Sequence, residues 1–316
     1  MAKKQAAPKQ EMDLMTLMER FGSDEKCRMY LEHLRWPEGV KCVRCQSDKI
    51  SRIYKRNQFA CDACDYQFSV TVNTIFHDSH LPLNKWFAAI YLMGESRKGI
   101  SANQLARTLK VSYKTAWYLC HRIRKAVADA DTSLLSGIIE VDETYIGGKA
   151  KNMHKDVRER KITGRGASGK AMVLGAIERG GKIRLKVDKR ADRETLHAFI
   201  KAMTAPEAEC IMTDELPAYE GIADEDTRHE TVKHGEEEWV RGDVHTNTVE
   251  NAWSLFKRSI VGSYHQISAK HLDRYLDEFE FRFNNRNNPY LFRDTLLRLI
   301  NSENLEYKEL TKEEAA

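Results

Sequence analysis

Along the chain the spacing of apolar residues shifts from helical to strand-like and back, more than once. Leu14, Leu17, Met18 and Phe21, then Cys27, Tyr30, Leu31 and Leu34, recur every three or four positions. That spacing predicts two short helices, broken near Gly22 and ended by Pro37 and Gly39. Short β-forming runs follow at 50–54, 58–61 and 67–72. Helical spacing returns at 82–93, where Trp86, Ile90 and Met93 share a side, and again at 101–109 and 113–127 around a break at Lys110-Val111-Ser112.

After a polar linker at 129–136 the pattern turns β again. The run 138–146, bounded by Gly137 and by Gly147-Gly148, is β-branched and aromatic, which predicts a buried strand with Asp142 in its middle. Residues 147–170 are basic and Gly-rich and read as a loop carrying Lys149; a merely solvated loop is the plain alternative. Runs 171–177 and 182–187, joined through Gly180-Gly181, predict a hairpin. Asp192 caps a helix at 193–203, strand 209–213 leads straight into Asp214, and 231–234 is a candidate edge strand. Apolar stripes then predict helices at 248–260 (Val249, Trp253, Phe256, Ile260) and 272–283. A last helix, 291–300, follows Pro289. The expected layout is a tail with helices (1–36), a β module (37–76), a helical module (80–130), an α/β core with a mixed sheet and C-terminal helices (137–290), and a final helix with an acidic tail (291–316).

With 316 residues, 41% of them hydrophobic, the chain has material for more than one core. Its longest apolar run, 171–177, is far short of the roughly 20 residues that span a bilayer, so no membrane is implied. The N-terminus lacks the apolar stretch of a secretory signal. The net charge of +4 hides an uneven distribution: 97–125 holds Lys114, Arg122 and Arg124 among eight basic residues and no acid. That stretch spans the two helices at 101–109 and 113–127, so the pair reads as a helix-turn-helix whose second helix contacts DNA. The acidic tail at 303–314 reads as solvated or disordered.

Cys42 and Cys45, then Cys61 and Cys64, form two pairs with two residues inside each and fifteen between them. Thiolates at this spacing can close tetrahedrally on one structural zinc ion, making the β module a zinc ribbon. Four reduced cysteines without metal are the competing reading. Cys27, Cys120 and Cys210 stand alone and read as small buried side chains.

A charged carboxylate at Asp142 needs a cation inside a sheet, since an uncompensated buried charge costs several kcal/mol. Asp214 at the end of another strand and Glu250 in the first turn of a helix complete a set of hard oxygen ligands suited to magnesium or manganese. Three such groups can hold two ions roughly 3.5 to 4 Å apart for phosphodiester chemistry. Each has a bland alternative: a buried ion pair for Asp142, a helix cap for Asp214, and for Asn247 with Glu250 a capping box. Glu140, on the same strand face as Asp142, reads as a decoy or a supporting partner. His245, Lys257 and Arg258 read as contacts to DNA phosphate, with a solvated surface role as the plain alternative for Lys257.

The paired cysteines, Val141-Asp142-Glu143-Thr144-Tyr145-Ile146-Gly147-Gly148-Lys149, Thr213-Asp214, and His245-Thr246-Asn247-Thr248-Val249-Glu250-Asn251-Ala252-Trp253-Ser254 with Lys257-Arg258 resemble bacterial insertion-sequence transposases of the zinc-ribbon type. The likeness extends to Tyr275-Leu276-Asp277-Glu278-Phe279 and Phe283-Asn284-Asn285-Arg286. It implies a ribonuclease-H-like, integrase-like core that hydrolyses the ends of a mobile element and joins the freed 3′-hydroxyl to target DNA. It also implies terminal inverted repeats and target DNA as partners, at least a dimer on paired ends, and work in the bacterial cytoplasm at the nucleoid. Relatives differ in whether the third ligand is Asn or Glu; of Asn247 and Glu250, the carboxylate is the better partner for a hard cation. Two rival functions are a DNA-binding regulator with an inert core and a metal-dependent nuclease that does not join.

Overall fold

The computed structural model describes residues 12–128, 133–148, 154–156, 159, 169–223, 227–232 and 241–312. The basic loop containing Lys149 lies largely outside them, as does half of the expected strand at 231–234. None of the described helices is long and apolar enough to cross a membrane. The chain divides into two compact units: residues 1–128 with 287–316, and residues 129–286.

In the first unit, α1 (Leu14–Phe21) and α2 (Asp24–Arg35) start on caps that are local in sequence: Asp13 accepts from the Thr16 amide and Ser23 from that of Lys26. Strands β1 (Ile50–Ile53), β2 (Gln58–Cys61) and β3 (Gln67–Phe68) form an antiparallel three-stranded sheet over a small core that includes Cys42, Phe59, Cys61 and Phe68. Helix α3 (Leu83–Glu95) precedes the pair α4 (Ala102–Leu109) and α5 (Tyr113–Val127). Lys110, at φ 51°, turns the chain between them, and Ser101 and Ser112 cap the two starts. Cys27, Cys120 and Cys210 are all buried, as small apolar side chains should be.

The second unit is built on a five-stranded mixed sheet of order β6-β5-β4-β7-β8. Its strands are β4 (Ile138–Ile146), β5 (Ala171–Glu178), β6 (Ile183–Asp188), β7 (Cys210–Thr213) and β8 (Arg228–Thr231). β4, β5 and β6 pair antiparallel, whereas β7 and β8 join parallel on the other side of β4. The edge strand thus falls three residues earlier than its apolar pattern predicts. On one face Leu196, Phe199 and Ile200 of α6 (Arg193–Met203) pack on Ile139, Val141, Leu174 and Ala176. On the other, Trp253 and Phe256 of α7 (Asn247–Ser259) and Leu276 and Phe279 of α8 (Leu272–Asn284) pack on Val173, Ile177 and Ile183. Leu135, at the end of the expected linker, is already in this core.

Helices α9 (Leu291–Asn301) and α10 (Tyr307–Thr311) belong to the first unit. The acidic tail is therefore folded as far as residue 312, with Glu303, Glu306 and Glu309 exposed to solvent as expected. Leu305 and Leu310 are buried, and the Tyr118 hydroxyl donates to the Leu305 carbonyl. Two apolar anchors outweigh the exposed acids around them.

Candidate active site

In β4 successive side chains point to opposite faces. Ile139 and Val141 enter the core under α6, so Glu140 and Asp142 face α7. The ladder between β4 and β7 stops at Glu140 opposite Met212, and β7 ends at Thr213. Beyond that point none of the described strands pairs with that edge of β4, and Asp142 from one face and Glu143 from the other meet there beside Asp214. One carboxylate oxygen of each of the three lies within 4.8 Å of the others.

Each carboxylate in this cluster is held by a specific partner. The Trp253 indole Nε1 donates to Asp142 Oδ2 at 3.0 Å, the buried Tyr219 hydroxyl donates to Glu143 Oε2 at 2.9 Å, and Asp214 Oδ1 accepts from the Leu216 amide at 3.1 Å. Gly175, opposite Asp142 on β5, makes room for the indole: a Cβ there would stand 2.5 Å from Trp253. Burial, reinforced by the charges of Glu143 and Asp214, pushes the Asp142 carboxyl up to about 7. Burial likewise raises Glu143, with Asp214 adding to it and the Tyr219 hydrogen bond opposing. Convergent acids that repel one another fit a hard divalent cation, which would relieve the repulsion and use the oxygens as ligands.

Helix α7 forms the opposite wall, and Glu140 fixes where it begins. Glu140 is fully buried; its Oε2 accepts from the amides of Thr248 and Val249 at 2.7 and 3.0 Å, and its Oε1 from the Thr248 hydroxyl at 2.8 Å. Arg179 Nε donates to the same carboxylate at 2.7 Å, and its remaining nitrogens reach the carbonyls of Asp243 and His245. The free amides of a helix start are thus satisfied by an anion 108 residues away. That arrangement stands in place of the alternative capping box, because Asn247 already sits inside the helix and Glu250 accepts instead from the Thr246 hydroxyl. His245 Nδ1 lies 3.3 Å from Glu140 Oε1, inside this cluster rather than out at a phosphate.

The two walls enclose an open cavity of about 540 Å³ lined by Asp142, Glu143, Glu250, Trp253, Lys257 and Arg258, among others. Of the residues expected from sequence, Asp142, Glu250, Lys257 and Arg258 line one space, but the carboxylates that converge are Asp142 and Asp214 with Glu143, which sequence reading missed, and not Glu250. Alternation along a strand sends neighbours to opposite faces, so only the early end of β7 reveals that Glu143 returns to the site. Asn247 is exposed on the first turn of α7.

In the first unit the four ribbon sulfurs converge, with Cys42 Sγ 3.7 Å from Cys64 Sγ and Cys45 Sγ 3.5 Å from Cys61 Sγ. Ligands about 2.3 Å from a tetrahedral zinc stand about 3.8 Å apart, so the cage fits that ion. Burial would raise the Cys42 thiol, but hydrogen bonds from the amides of Cys45 and Arg44 and from neighbouring thiols bring it down to about 6, toward the thiolate a metal requires.

The α5 arginines need correction. Arg122 and Arg124 are 3% and 2% exposed. Arg122 donates to the His77 carbonyl at 2.6 Å and Asn304 Oδ1 at 2.7 Å, and its guanidinium lies over the rings of Trp86 and Tyr118. These side chains hold the unit together and are not presented to DNA. Lys114 is exposed, its Nζ over the Tyr307 ring. Lys149 lies outside the described residues.

Comparison with known proteins follows the same two-part division. Residues 134–284 match a family described as "ISXO2-like transposase domain", and residues 22–67 match "Transposase zinc-ribbon domain". The chain is 31% identical over 280 residues to an uncharacterised protein in transposable element ISH50 of Halobacterium salinarum, covering 85% of this chain and 93% of that one. Among solved structures, a pre-cleavage Mos1 transpososome aligns at TM-score 0.25 and 14% identity over 66% of this chain and 77% of that one. A simian T-cell lymphotropic virus intasome aligns at 0.27 and 13% over 60% and 67%.

Proposed function

The chain belongs to the ISXO2-like insertion-sequence transposases, and from that membership we propose that it cuts the terminal inverted repeats of its element and joins the freed 3′-hydroxyls to target DNA at the Asp142 cluster. The carrying observation is the convergence of Asp142, Glu143 and Asp214 within 4.8 Å. Glu250, across the same cavity, supplies a further oxygen in preference to Asn247, because a carboxylate binds a hard cation better than an amide. The sheet order and parallel attachment of β7 and β8 support a ribonuclease-H-like core. A pair of magnesium or manganese ions, when bound, activates the attacking oxygen and stabilises the leaving one.

The residues of the chain do the rest. Trp253 and Tyr219 hold two of the carboxylates in place, while Lys257 and Arg258 stand exposed on the cavity wall to take the phosphates beside the reacting one. Cleavage exchanges a phosphorus bond to the 3′-oxygen for one to water; joining exchanges a target phosphodiester bond for one to the new 3′-oxygen. The nucleophile is all that changes, so one site serves both.

The zinc-filled ribbon and the α4–α5 pair bind the ends, with Lys114, Tyr113, Arg107 and Lys110 as the exposed groups that meet DNA. Two ends require at least two copies of the chain, acting in the cytoplasm where the element's DNA lies. Asp142→Asn and Asp214→Asn, each retaining end binding and losing magnesium-dependent cleavage, are the expected results. Supplying precut ends with target DNA separates a transposase, which yields joined product, from a nuclease, which does not.

A further inference from the structure

The carboxylate cavity continues along α7 beyond its acids. Glu250, Ser254, Lys257, Arg258 and Val261 line it at spacings of three and four, one face of a helix running away from the cluster. At the far end the helix changes character. Residues Ile260–Tyr264 form a π turn, closed by a 2.6 Å hydrogen bond from the His265 amide to the Ile260 carbonyl, and His265 itself sits at φ 60°. A π turn and a left-handed non-glycine residue are both uncommon and disfavoured locally, and both concentrate at functional sites. The side chain presented there is Val261, 75% exposed, an apolar group with two cations before it on the same face.

Phosphate contacts explain Lys257 and Arg258 but not an apolar tip kept in water by a wound-out helix. An apolar side chain beside a phosphate track suits a base face: such wedges enter or cap a stack and hold a base step open. We propose that the cavity takes the terminal nucleotides of the cut strand unpaired, with Val261 packed on the last stacked base while Lys257 and Arg258 hold the phosphates leading to the carboxylates. The inference rests on the transposase reading of the same cavity and adds that the end must be opened before it is cut.

The test uses the full-length protein and duplex ends carrying 2-aminopurine at the cleavage point, either fully paired or mismatched over the terminal pairs. Binding of the wild type should raise 2-aminopurine fluorescence on the paired end. Val261→Ser, with Lys257 and Arg258 intact, should still bind that end at saturating protein, lose the rise, and cut about tenfold more slowly. On the mismatched end it should cut at the wild-type rate, and Val261→Leu should behave as wild type on both. Equal slowing on both ends, or no slowing on either, overturns the wedge while leaving the transposase reading intact. A wild type that cuts neither end removes that reading and the wedge together.

Discussion

The Trp253 indole donates to Asp142 at 3.0 Å across a gap that exists because residue 175 lacks a side chain. One apolar anchor of α7 thereby also orients a carboxylate on β4. Trp253→Phe keeps the packing and removes the hydrogen bond, so fold and end binding should persist while cleavage drops about tenfold and the divalent-ion concentration needed rises. Gly175→Ala pushes a Cβ into the indole and should lower stability by roughly 1–3 kcal/mol as well. Metal titrations of cleavage alongside thermal melts check both; a Phe variant with unchanged metal dependence would show that the indole only packs.

Glu140 carries the start of α7. Glu140→Ala strands the Arg179 charge and frees the amides of Thr248 and Val249, an expected loss of about 3–5 kcal/mol. Glu140→Gln retains an acceptor and should lose less. Chemical denaturation of both variants measures this, and an Ala variant as stable as wild type would contradict the clamp.

Metal-free stability should depend on Asp142. Its carboxyl is raised to about 7 in the folded protein, against about 3.9 in an unfolded chain. Between those values the folded state holds a proton that the unfolded state has released, so stability falls as pH rises through that window. Asp142→Asn removes the charge and should raise the metal-free melting temperature at pH 8 by roughly 2–5 °C, with little change at pH 4. In the wild type, magnesium should stabilise more at pH 8 than at pH 5, because the ion competes with that proton. Melting curves at the two pH values, with magnesium and with chelator, decide it.

Lys114 and Arg122 should part company. Lys114→Ala is expected to weaken end binding and reduce its salt dependence by about one ion without moving the melting temperature. Arg122→Ala leaves the Trp86 and Tyr118 faces and the His77 carbonyl without their guanidinium, and should destabilise the protein by roughly 2–4 kcal/mol. Binding isotherms over a salt series, set beside melts, would expose the opposite pattern.

One zinc per chain is expected in the ribbon, measured by elemental analysis. A thiol-reactive reagent should release it and abolish end binding. Cys61→Ser, which removes a buried ligand, should do the same; zinc content unchanged in that variant would place the ion elsewhere.

Features written over a few neighbouring residues were legible in the chain alone. Asp192 caps the helix it precedes, its Oδ1 accepting from the Thr195 amide at 3.0 Å, and the spacing of the cysteine pairs announces the four sulfurs that converge. In the first case the partners lie within one turn, and in the second the two pairs flank a single short hairpin, β1–β2. The strand bearing Asp142, the hairpin behind it and the apolar face of α7 follow in the same way from period two and period 3.6.

What the chain did not disclose depends on where elements stop and which side of them is covered. Glu143 joins the site because β7 ends at Thr213; α7 starts at Asn247 because a carboxylate from β4 caps it; Arg122 and Arg124 are buried because the first unit closes around α5. A basic stretch without acids looks the same in sequence whether its guanidinium groups point to solvent or to carbonyls. Local hydrogen bonding and periodicity are properties of short segments, so the sequence determined the elements and the residues that are candidates for the site. Burial and ladder length are set by segments that meet from far apart in the chain, so only the tertiary structure decided which acids converge and which cations remain available to DNA.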